Sequence, residues 1–324
     1  MAKGSVAVCV TIKNEVCVLE QLAEDLWNQS IRPDEIVVID GGSTDGSVER
    51  LRGLLDEFGA YKLISMPGAN IARGRNRAIA EAKAEVILVV DAGLRLPSSW
   101  VASLSKAVRQ NEVDIAFGYV LSDPKNDFET ALAAVTRPLE DEIDPNNYPI
   151  SGGCSGFRTE LFSRYHYPEW LDYGEDMHLY LQWREDGLKF KHVAGADVRF
   201  RPRPDPAAFY RQYFNYARGD GEAGMWIMRH GIRFGAYFTL LVAIGYFVLG
   251  GVWRLLPIVC CGLLGSYYLL NGWRRTLVLT SGWPAVRRIR VLCLVPMLRL
   301  LGDFAKICGY VDGWLRRRNL QKRE

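Results

Sequence analysis

The sequence predicts an α/β fold with a mainly parallel central sheet and flanking helices, followed by a C-terminal transmembrane helical hairpin. Short apolar runs alternate with segments of helical periodicity over residues 6–120, which is the pattern of βαβ units. Polar residues follow several of these runs directly. Two uncharged apolar segments, each about as long as a bilayer-spanning helix, lie near the C-terminus.

The apolar runs predict strands, and the segments between them predict helices. A continuous apolar run suits a strand that is buried on both faces of a parallel sheet. The predicted strands are Val6–Ile12, Glu35–Ile39, Tyr61–Ser65, Val86–Val90 and Val113–Val120. The predicted helices are Glu15–Gln29, Val48–Phe58, Ile71–Lys83, Pro97–Arg109, Thr159–Arg164 and Met177–Glu185. Residues 151–158 are rich in small side chains and predict a loop.

The composition excludes some classes of protein. The chain has 324 residues, 49% of them hydrophobic, and its net charge of +3 is too small to indicate a nucleic-acid partner. Seven cysteines show no metal-ligand spacing, which favours reduced thiols and a cytosolic catalytic domain. Because the first predicted strand begins near the N-terminus, we expect no signal peptide.

Polar residues cluster where the predicted strands end. Right-handed crossovers bring the carboxyl ends of parallel strands to one edge of the sheet, so we expect these residues to converge. Carboxylates and amides suit a base and a ribose, whereas guanidinium groups suit phosphate oxygens. The segments are Lys13-Asn14-Glu15, Asp40 to Asp45, Gly68 to Arg77 and Asp91-Ala92-Gly93. They predict a nucleotide-diphosphate site, with capped turns and a solvated helix face as the alternatives.

Together, these segments resemble the inverting nucleotide-sugar transferases of glycosyltransferase family 2, which have the GT-A fold. The resemblance covers about residues 5–220, in the family's order. The matching segments are Thr11-Ile12-Lys13-Asn14-Glu15, Val38 to Gly46, Ala72-Arg73-Gly74-Arg75-Asn76, Val90-Asp91-Ala92-Gly93 and Gly174-Glu175-Asp176. The Gln-x-x-Arg-Trp signature of processive synthases does not occur, which favours the addition of one sugar per encounter.

The resemblance implies roles for these positions. Glu15 and Asp40 would contact the base and ribose, and Asp45 would steady their loop. Asp176, next to Glu175, would be the general base that deprotonates an acceptor hydroxyl, so that the anomeric carbon is inverted. The residues expected to bind the donor are Thr11, Asn14, Glu15, Asp40, Ser43, Asp45, Arg73, Arg75, Asn76, Asp91 and Gly93, with Asn76 and the arginines along the diphosphate.

One position departs from the family's metal-binding Asp-x-Asp motif. Asp91 corresponds to the first carboxylate, but Gly93 stands where the second would be. Either Asp91 holds Mg²⁺ or Mn²⁺ together with diphosphate oxygens and water, or positive side chains replace part of the metal's role. We expect a metal. His192 is a further candidate ligand, but a histidine in a strand-like segment is more often packed or on the surface.

The C-terminal part predicts a membrane region. Gly235–Trp253 and Leu255–Trp273 contain no charged residue and each approach the length that spans a bilayer. Because arginines flank both segments, the positive-inside rule places the flanks and the catalytic domain in the cytoplasm, at the inner or plasma membrane. Residues 291–314 predict an amphipathic helix, which a basic tail follows. A long buried hairpin in a soluble protein is the alternative.

These observations predict a catalytic domain over residues 1–230, with a donor half to about residue 120 and an acceptor half after it. Residues 231–324 would form the membrane region. The expected partners are a nucleotide-diphosphate sugar, a lipid-linked or glycolipid acceptor and the membrane, in cell-envelope polysaccharide or glycolipid biosynthesis. A polyprenyl-phosphate monoglycosyltransferase and a catalytically silent nucleotide-binding scaffold are the alternatives.

Overall fold

The computed structural model describes residues 4–110, 113–150, 152–249 and 255–321. The chain forms two compact units. The first runs to Asp123 and includes Glu142–Arg201, whereas the second consists of Pro124–Asp141 and the residues from Pro202 onward. The boundary predicted at residue 230 separates a catalytic domain from a membrane region. It is a division by role and not by compactness, and it stays a prediction.

The described strands and helices alternate through the first unit and give way to helices in the second. The strands are β1 (Val6–Ile12), β2 (Glu35–Asp40), β3 (Tyr61–Ser65), β4 (Val86–Asp91), β5 (Leu94–Arg95), β6 (Ile115–Phe117), β7 (Val120–Ser122), β8 (Cys154–Arg158), β9 (Phe190–His192) and β10 (Val198–Phe200). The helices are α1 (Val16–Trp27), α2 (Ser47–Leu55), α3 (Ile71–Glu81), α4 (Trp100–Arg109), α5 (Asp127–Thr136), α6 (Glu175–Glu185), α7 (Pro206–Ala223), α8 (Ile227–Val248), α9 (Leu255–Leu279) and α10 (Ala285–Gln321).

In the described part of the first unit, seven strands form a central sheet in the order β3-β2-β1-β4-β8-β6-β9. Its strands run in one direction except for β8, which is antiparallel to both β4 and β6. A smaller sheet has the order β5-β10-β7. The predicted α/β class with a central, mainly parallel sheet is confirmed.

Helices cover both faces of the central sheet because its inner strands are apolar on both sides. On β1, Val8 packs in the layer that contains α1, α2 and α4. The neighbouring Ala7 and Cys9 face the layer that contains α3 and α6. This arrangement leaves the carboxyl ends of the parallel strands as the edge where polar loops gather.

The last strand predicted for the donor half, Val113–Val120, is not continuous. The structure divides it into β6 and β7, which belong to different sheets. The chain turns at Gly118, where a Cβ atom would lie only 1.9 Å from the carbonyl oxygen of Ala196. Glycine therefore lets the backbones of Gly118 and Ala196 approach closely where β6 ends.

The loop predicted at residues 151–158 is also partly wrong, because its second half is strand β8. Its small residues fit a crowded position: a Cβ atom on Gly156 would lie 2.6 Å from Cδ2 of Leu88. The helix predicted after it is a 3-10 helix at Thr159–Ser163.

The second unit is helical in its described ranges, and α10 is its longest helix. The backbones of α7 and α10 approach closely at glycines. A Cβ atom on Gly309 would lie 2.1 Å from the carbonyl oxygen of Phe214, and one on Gly313 would lie 2.0 Å from that of Arg218. Apolar side chains such as Phe209, Val291 and Val295 fill the core of this unit.

One helix in the described part of the chain is long and apolar enough to cross a membrane. It is α8, whose most apolar window has a mean hydropathy of 1.6 and is 6% buried. Residues 250–253 of the first predicted span lie outside the described residues, and the second predicted span lies in α9, which does not meet these criteria. The predicted two-span hairpin is therefore not confirmed. The predicted amphipathic segment lies within α10.

Candidate active site

The end of β1 lies between two aspartates at the carboxyl edge of the central sheet. Ile12 pairs with Asp40 on β2, and Thr11 pairs with Asp91 on β4. Both aspartates are the last residues of their strands. The parallel register therefore brings together two carboxylates that lie far apart in the sequence, as the convergence of the strands predicted.

Asp40 holds the start of the loop that follows β2. Its side chain is buried and accepts hydrogen bonds from the backbone N–H groups of Gly42 at 3.1 Å and Ser43 at 3.0 Å. Gly42 has a φ of +93°, a left-handed conformation that glycine adopts without strain. The Ser43 hydroxyl then accepts from the backbone N–H of Asn14 at 2.8 Å, which joins this loop to the one after β1.

Asp45 makes a second junction between the same two loops. Its carboxylate accepts hydrogen bonds from the backbone N–H of Val16 at 3.1 Å and from the Ser47 hydroxyl at 2.5 Å. The Ser47 hydroxyl also accepts from the backbone N–H of Glu15 at 2.9 Å. The bond from Ser47 lowers the pKa of Asp45. These contacts fix the start of α1 against the start of α2.

Arg75 is the charged centre of the site. Its side chain, on α3, is buried and donates from Nη1 to Oε1 of Glu175 at 2.6 Å and from Nη2 to Oδ1 of Asp91 at 2.7 Å. The guanidinium group also lies 5.3 Å from the ring centroid of Tyr167. Burial alone would lower the pKa of Arg75, but Asp91 and Glu175 raise it, so the group remains charged.

The two acidic residues at the start of α6 have different surroundings. Glu175 is buried, and burial together with the charge of Asp176 raises its pKa, although Arg75 opposes this shift. Asp176 is partly exposed. Its carboxylate accepts hydrogen bonds from the backbone N–H groups of Gly152 at 2.9 Å and Met177 at 2.8 Å. These two bonds hold the carboxylate in one orientation.

Two glycines separate Asp176 from Asp91. A Cβ atom on Gly152 would lie 2.7 Å from Cβ of Asp176 and 2.6 Å from Nη1 of Arg75. A Cβ atom on Gly153 would lie 2.3 Å from Oδ2 of Asp91. Only glycine fits at these positions without a rearrangement of the acidic side chains.

The predicted donor residues on α3 do not all reach this centre. Asn76 is bonded to the polypeptide: its Nδ2 donates to the carbonyl oxygen of Tyr167 at 2.9 Å, and its Oδ1 accepts from the N–H of the same residue at 2.9 Å. Arg73 is exposed, and its Nε lies 3.7 Å from Oε2 of Glu169. Their roles towards a diphosphate stay predictions.

His192 lies in a packed environment. Its ring stacks on Tyr119 with 3.6 Å between centroids, and its Nε2 lies 2.7 Å from Oδ1 of Asp197. Sequence reasoning missed Tyr167, the aromatic neighbour of Arg75. Tyr167 lies in an irregular segment without periodicity, so no local signal connects it to α3.

The residues of this site supply few ligands for a metal ion by themselves. Among the described residues, no group of three His, Cys, Asp or Glu side chains is placed to hold a metal. Asp91 offers one carboxylate, and its Oδ1 already accepts from Arg75. Gly93 has open space around it, with no atom within 4 Å of a Cβ placed there. Most ligands of a divalent cation would therefore have to come from a substrate or water.

Comparison with known proteins identifies the domain that carries Asp40, Arg75 and Asp91, whereas Glu175 and Asp176 lie beyond the matched residues. Residues 7–165 match the family described as Glycosyl transferase family 2. This domain belongs to glycosyltransferase family 2. Among its curated relatives is a cholesterol galactosyltransferase of Borreliella burgdorferi, 24% identical over 163 residues, which are 50% of this chain and 43% of that protein. Another is the glycosyltransferase GlyG of Streptococcus pneumoniae, 25% identical over 114 residues, or 35% of this chain and 38% of that protein. The matches thus span less than half of either relative.

Solved structures share the fold of this chain. S. aureus TarS (residues 1–349) superposes with a TM-score of 0.51 and 16% identity, covering 99% of this chain and 92% of that one. The mannosyltransferase PcManGT from Pyrobaculum calidifontis, in complex with GDP-Man and Mn²⁺, gives a TM-score of 0.54 and 17% identity, covering 98% and 88%. These likenesses support the GT-A type of fold.

Proposed function

We propose that this protein is an inverting glycosyltransferase that moves a sugar from a nucleotide-diphosphate donor to a membrane-associated acceptor, one sugar per encounter. Its family 2 domain supports sugar transfer as the reaction class. The single observation that carries the proposal is that the backbone at Gly152 and Gly153 adjoins Asp176, Arg75 and Asp91 together. An in-line displacement needs a base and a leaving-group site on opposite sides of the same substrate carbon.

The donor would bind along the carboxyl edge of β1, β2 and β4. The loop held by Asp40 and Asp45 would receive the base and ribose, with Thr11, Asn14, Glu15 and Ser43 around them. GDP-Man in PcManGT and UDP in a TarS complex (TM-score 0.50) support a nucleotide sugar as the donor class.

The charges around Arg75 favour a divalent cation beside the diphosphate. One guanidinium faces the carboxylates of Asp91 and Glu175, and Asp176 lies next to it. Such a negatively charged centre repels a diphosphate, so we propose that Asp91 holds Mg²⁺ or Mn²⁺ together with the donor. The ion would offset charge on the leaving diphosphate. The exposed guanidinium of Arg73 would contribute further positive charge.

Asp176 would act as the base. Two backbone N–H groups fix its carboxylate, which a general base requires for alignment. The carboxylate takes the proton of the acceptor hydroxyl while that oxygen bonds to the anomeric carbon. The bond from the anomeric carbon to the nucleoside diphosphate breaks at the same time, with inversion. Glu175 holds Arg75 in place and does not take this proton.

A membrane-associated acceptor is supported by α8, the candidate membrane-spanning helix. The Borreliella relative, whose name gives cholesterol as its acceptor, supports a lipid acceptor. Such an enzyme would work at the cytoplasmic face of the inner or plasma membrane, in envelope polysaccharide or glycolipid assembly.

The proposal is tested by a screen of nucleotide sugars against the purified full chain. The donor that stabilises it most in a thermal-shift assay is then incubated with membrane extract, and labelled sugar in the lipid fraction is measured. We expect transfer by the wild-type protein and none by the Asp176→Asn variant. A chain that binds nucleotides but transfers no sugar from any donor would instead be a silent scaffold.

A further inference from the structure

The second unit has an excess of positive charge where α8 and α10 meet. Asp303 on α10 is buried and accepts a hydrogen bond from Nε of Arg233 at 3.1 Å. Its other oxygen accepts from the hydroxyls of Tyr237 at 3.1 Å and Tyr268 at 2.9 Å. Lys306 lies 3.9 Å from the same carboxylate. One carboxylate thus serves two cations and two hydroxyl groups.

Two more cations lie one helical turn from this group, because Arg229 precedes Arg233 on α8 and Arg299 precedes Asp303 on α10. The guanidinium group of Arg299 lies 4.9 Å from the ring centroid of Tyr268, and its buried Nε has no hydrogen-bond partner in the part of the chain that the structure describes. Arg229 is exposed on α8, one turn before Arg233. Neither Arg229 nor Arg299 forms an ion pair with a described residue.

The lowered pKa of Lys306 agrees with an excess of positive over negative charge in this cluster. Burial lowers the pKa of Lys306 to about 8, even though Asp303 raises it, and the charges of Arg233, Arg229 and Arg299 lower it further. Two cations therefore contact one carboxylate, and the charges of Arg229 and Arg299 act on Lys306 as well. An anion bound among them would relieve this repulsion.

Apolar surface lies next to the cationic cluster. Leu300 and Phe304 are 57% and 59% exposed and one helical turn apart on α10, where they directly follow Arg299 and Asp303 in the sequence. On α8, the cations precede the most apolar part of the helix, where Phe238 is 68% exposed. Cations followed at once by exposed apolar side chains match a molecule with an anionic head and a hydrocarbon tail.

We propose that Arg229, Arg233, Arg299 and Lys306 bind the phosphate headgroup of an anionic membrane lipid, whose chains lie against the apolar faces of α8 and α10. Guanidinium groups are good phosphate ligands because they offer paired N–H donors. The exposed apolar neighbours favour a lipid phosphate over a soluble one. This site rests on the membrane association in the proposed function, and it does not depend on sugar transfer.

The test measures binding of the purified full chain to phosphatidylcholine vesicles with and without phosphatidylglycerol, in the absence of donor. We expect phosphatidylglycerol to strengthen binding of the wild-type protein. The double variant Arg229→Gln/Arg299→Gln should lose this gain, so that its affinity for these vesicles falls by on the order of tenfold or more. The matched control is Arg52→Gln/Lys106→Gln, which removes the same charge from exposed positions of the first unit. It should retain the gain.

The single variant Arg229→Gln changes only an exposed side chain, so it tests the site even if the double variant folds poorly. On its own it should weaken the gain in binding that phosphatidylglycerol gives. Three results would overturn the proposal: a double variant that binds like wild type, a control that loses as much, or competition by inorganic phosphate at concentrations similar to the lipid's. Loss of the effect only in the Arg229 and Arg299 variants supports the lipid site whether or not the protein transfers sugar.

Discussion

Arg75 and Glu175 form a buried ion pair across 100 residues of sequence, with 2.6 Å between Nη1 and Oε1. The other arm of Arg75 reaches Asp91, so one guanidinium connects α3, the end of β4 and the start of α6. Three elements that carry predicted site residues are thereby fixed against one another.

Replacement of Arg75 by glutamine should destabilise the protein strongly. The change leaves the buried Glu175 without its cation, and the loss of one partner of a buried pair costs about 3–5 kcal/mol. Arg75→Lys should be intermediate, because one ammonium group cannot reach both carboxylates as the fork does. Thermal melting of the three proteins gives the order; a glutamine variant as stable as wild type would contradict the role of this pair.

Asp176→Asn should distinguish the kind of acceptor. For a hydroxyl acceptor, loss of the base should lower kcat by about 10²–10⁴-fold with little change in the donor KM. For a polyprenyl-phosphate acceptor, which is already ionised, the loss should be mild. Glu185→Gln, at the exposed end of the same helix, is the matched control and should behave like wild type.

Gly153→Ala should impair the site, whereas Gly93→Ala should not. The new Cβ at position 153 would overlap Oδ2 of Asp91, so the carboxylate must move, but the one at position 93 meets open space. We expect a clear drop in kcat for the first variant and near wild-type activity for the second. Equal activity of both would show that Asp91 tolerates displacement.

Metal binding should depend on the nucleotide. Because Asp91 is a single carboxylate already bonded to Arg75, Mn²⁺ alone should give little thermal stabilisation, and Mn²⁺ with a bound nucleoside diphosphate should give more. EDTA should abolish the extra stabilisation. Gly93→Asp supplies a second carboxylate in open space and should strengthen binding of the metal alone. Full activity in EDTA would favour cationic side chains in the metal's place.

The thiols should react in an order set by burial. Burial raises the pKa of Cys154 to about 12 and raises that of Cys9 as well, so both remain protonated at mildly alkaline pH. Cys17 is exposed on α1. Iodoacetamide should therefore label Cys17 in the native protein and spare the other two until denaturant is added, as peptide mass mapping would record. Early labelling of Cys154 would mean that the centre of the sheet opens readily.

Much of the donor half followed from local pattern. The apolar runs of β1, β2 and β4 are buried on both faces, and this pattern is visible without a structure. The convergence of the polar residues that follow these strands could be predicted from one rule, that the carboxyl ends of parallel strands meet at one edge of the sheet. The segment after residue 112 was harder to predict, because β6, β7 and β8 are short and lie where Gly118 meets the backbone of Ala196 and Gly156 meets the side chain of Leu88.

The sequence by itself therefore determined the α/β class and the succession of β1 to β4 along the chain. The order of the motifs along the chain supported the family resemblance, and that resemblance indicated which types of residue would lie at the site. These features depend on side-chain periodicity and on motifs within a few residues of one another. Only the tertiary structure decided that Arg75 lies buried between Asp91 and Glu175 and that Asn76 is bonded to Tyr167. Such contacts join distant segments through packing, and no local pattern in the chain encodes them.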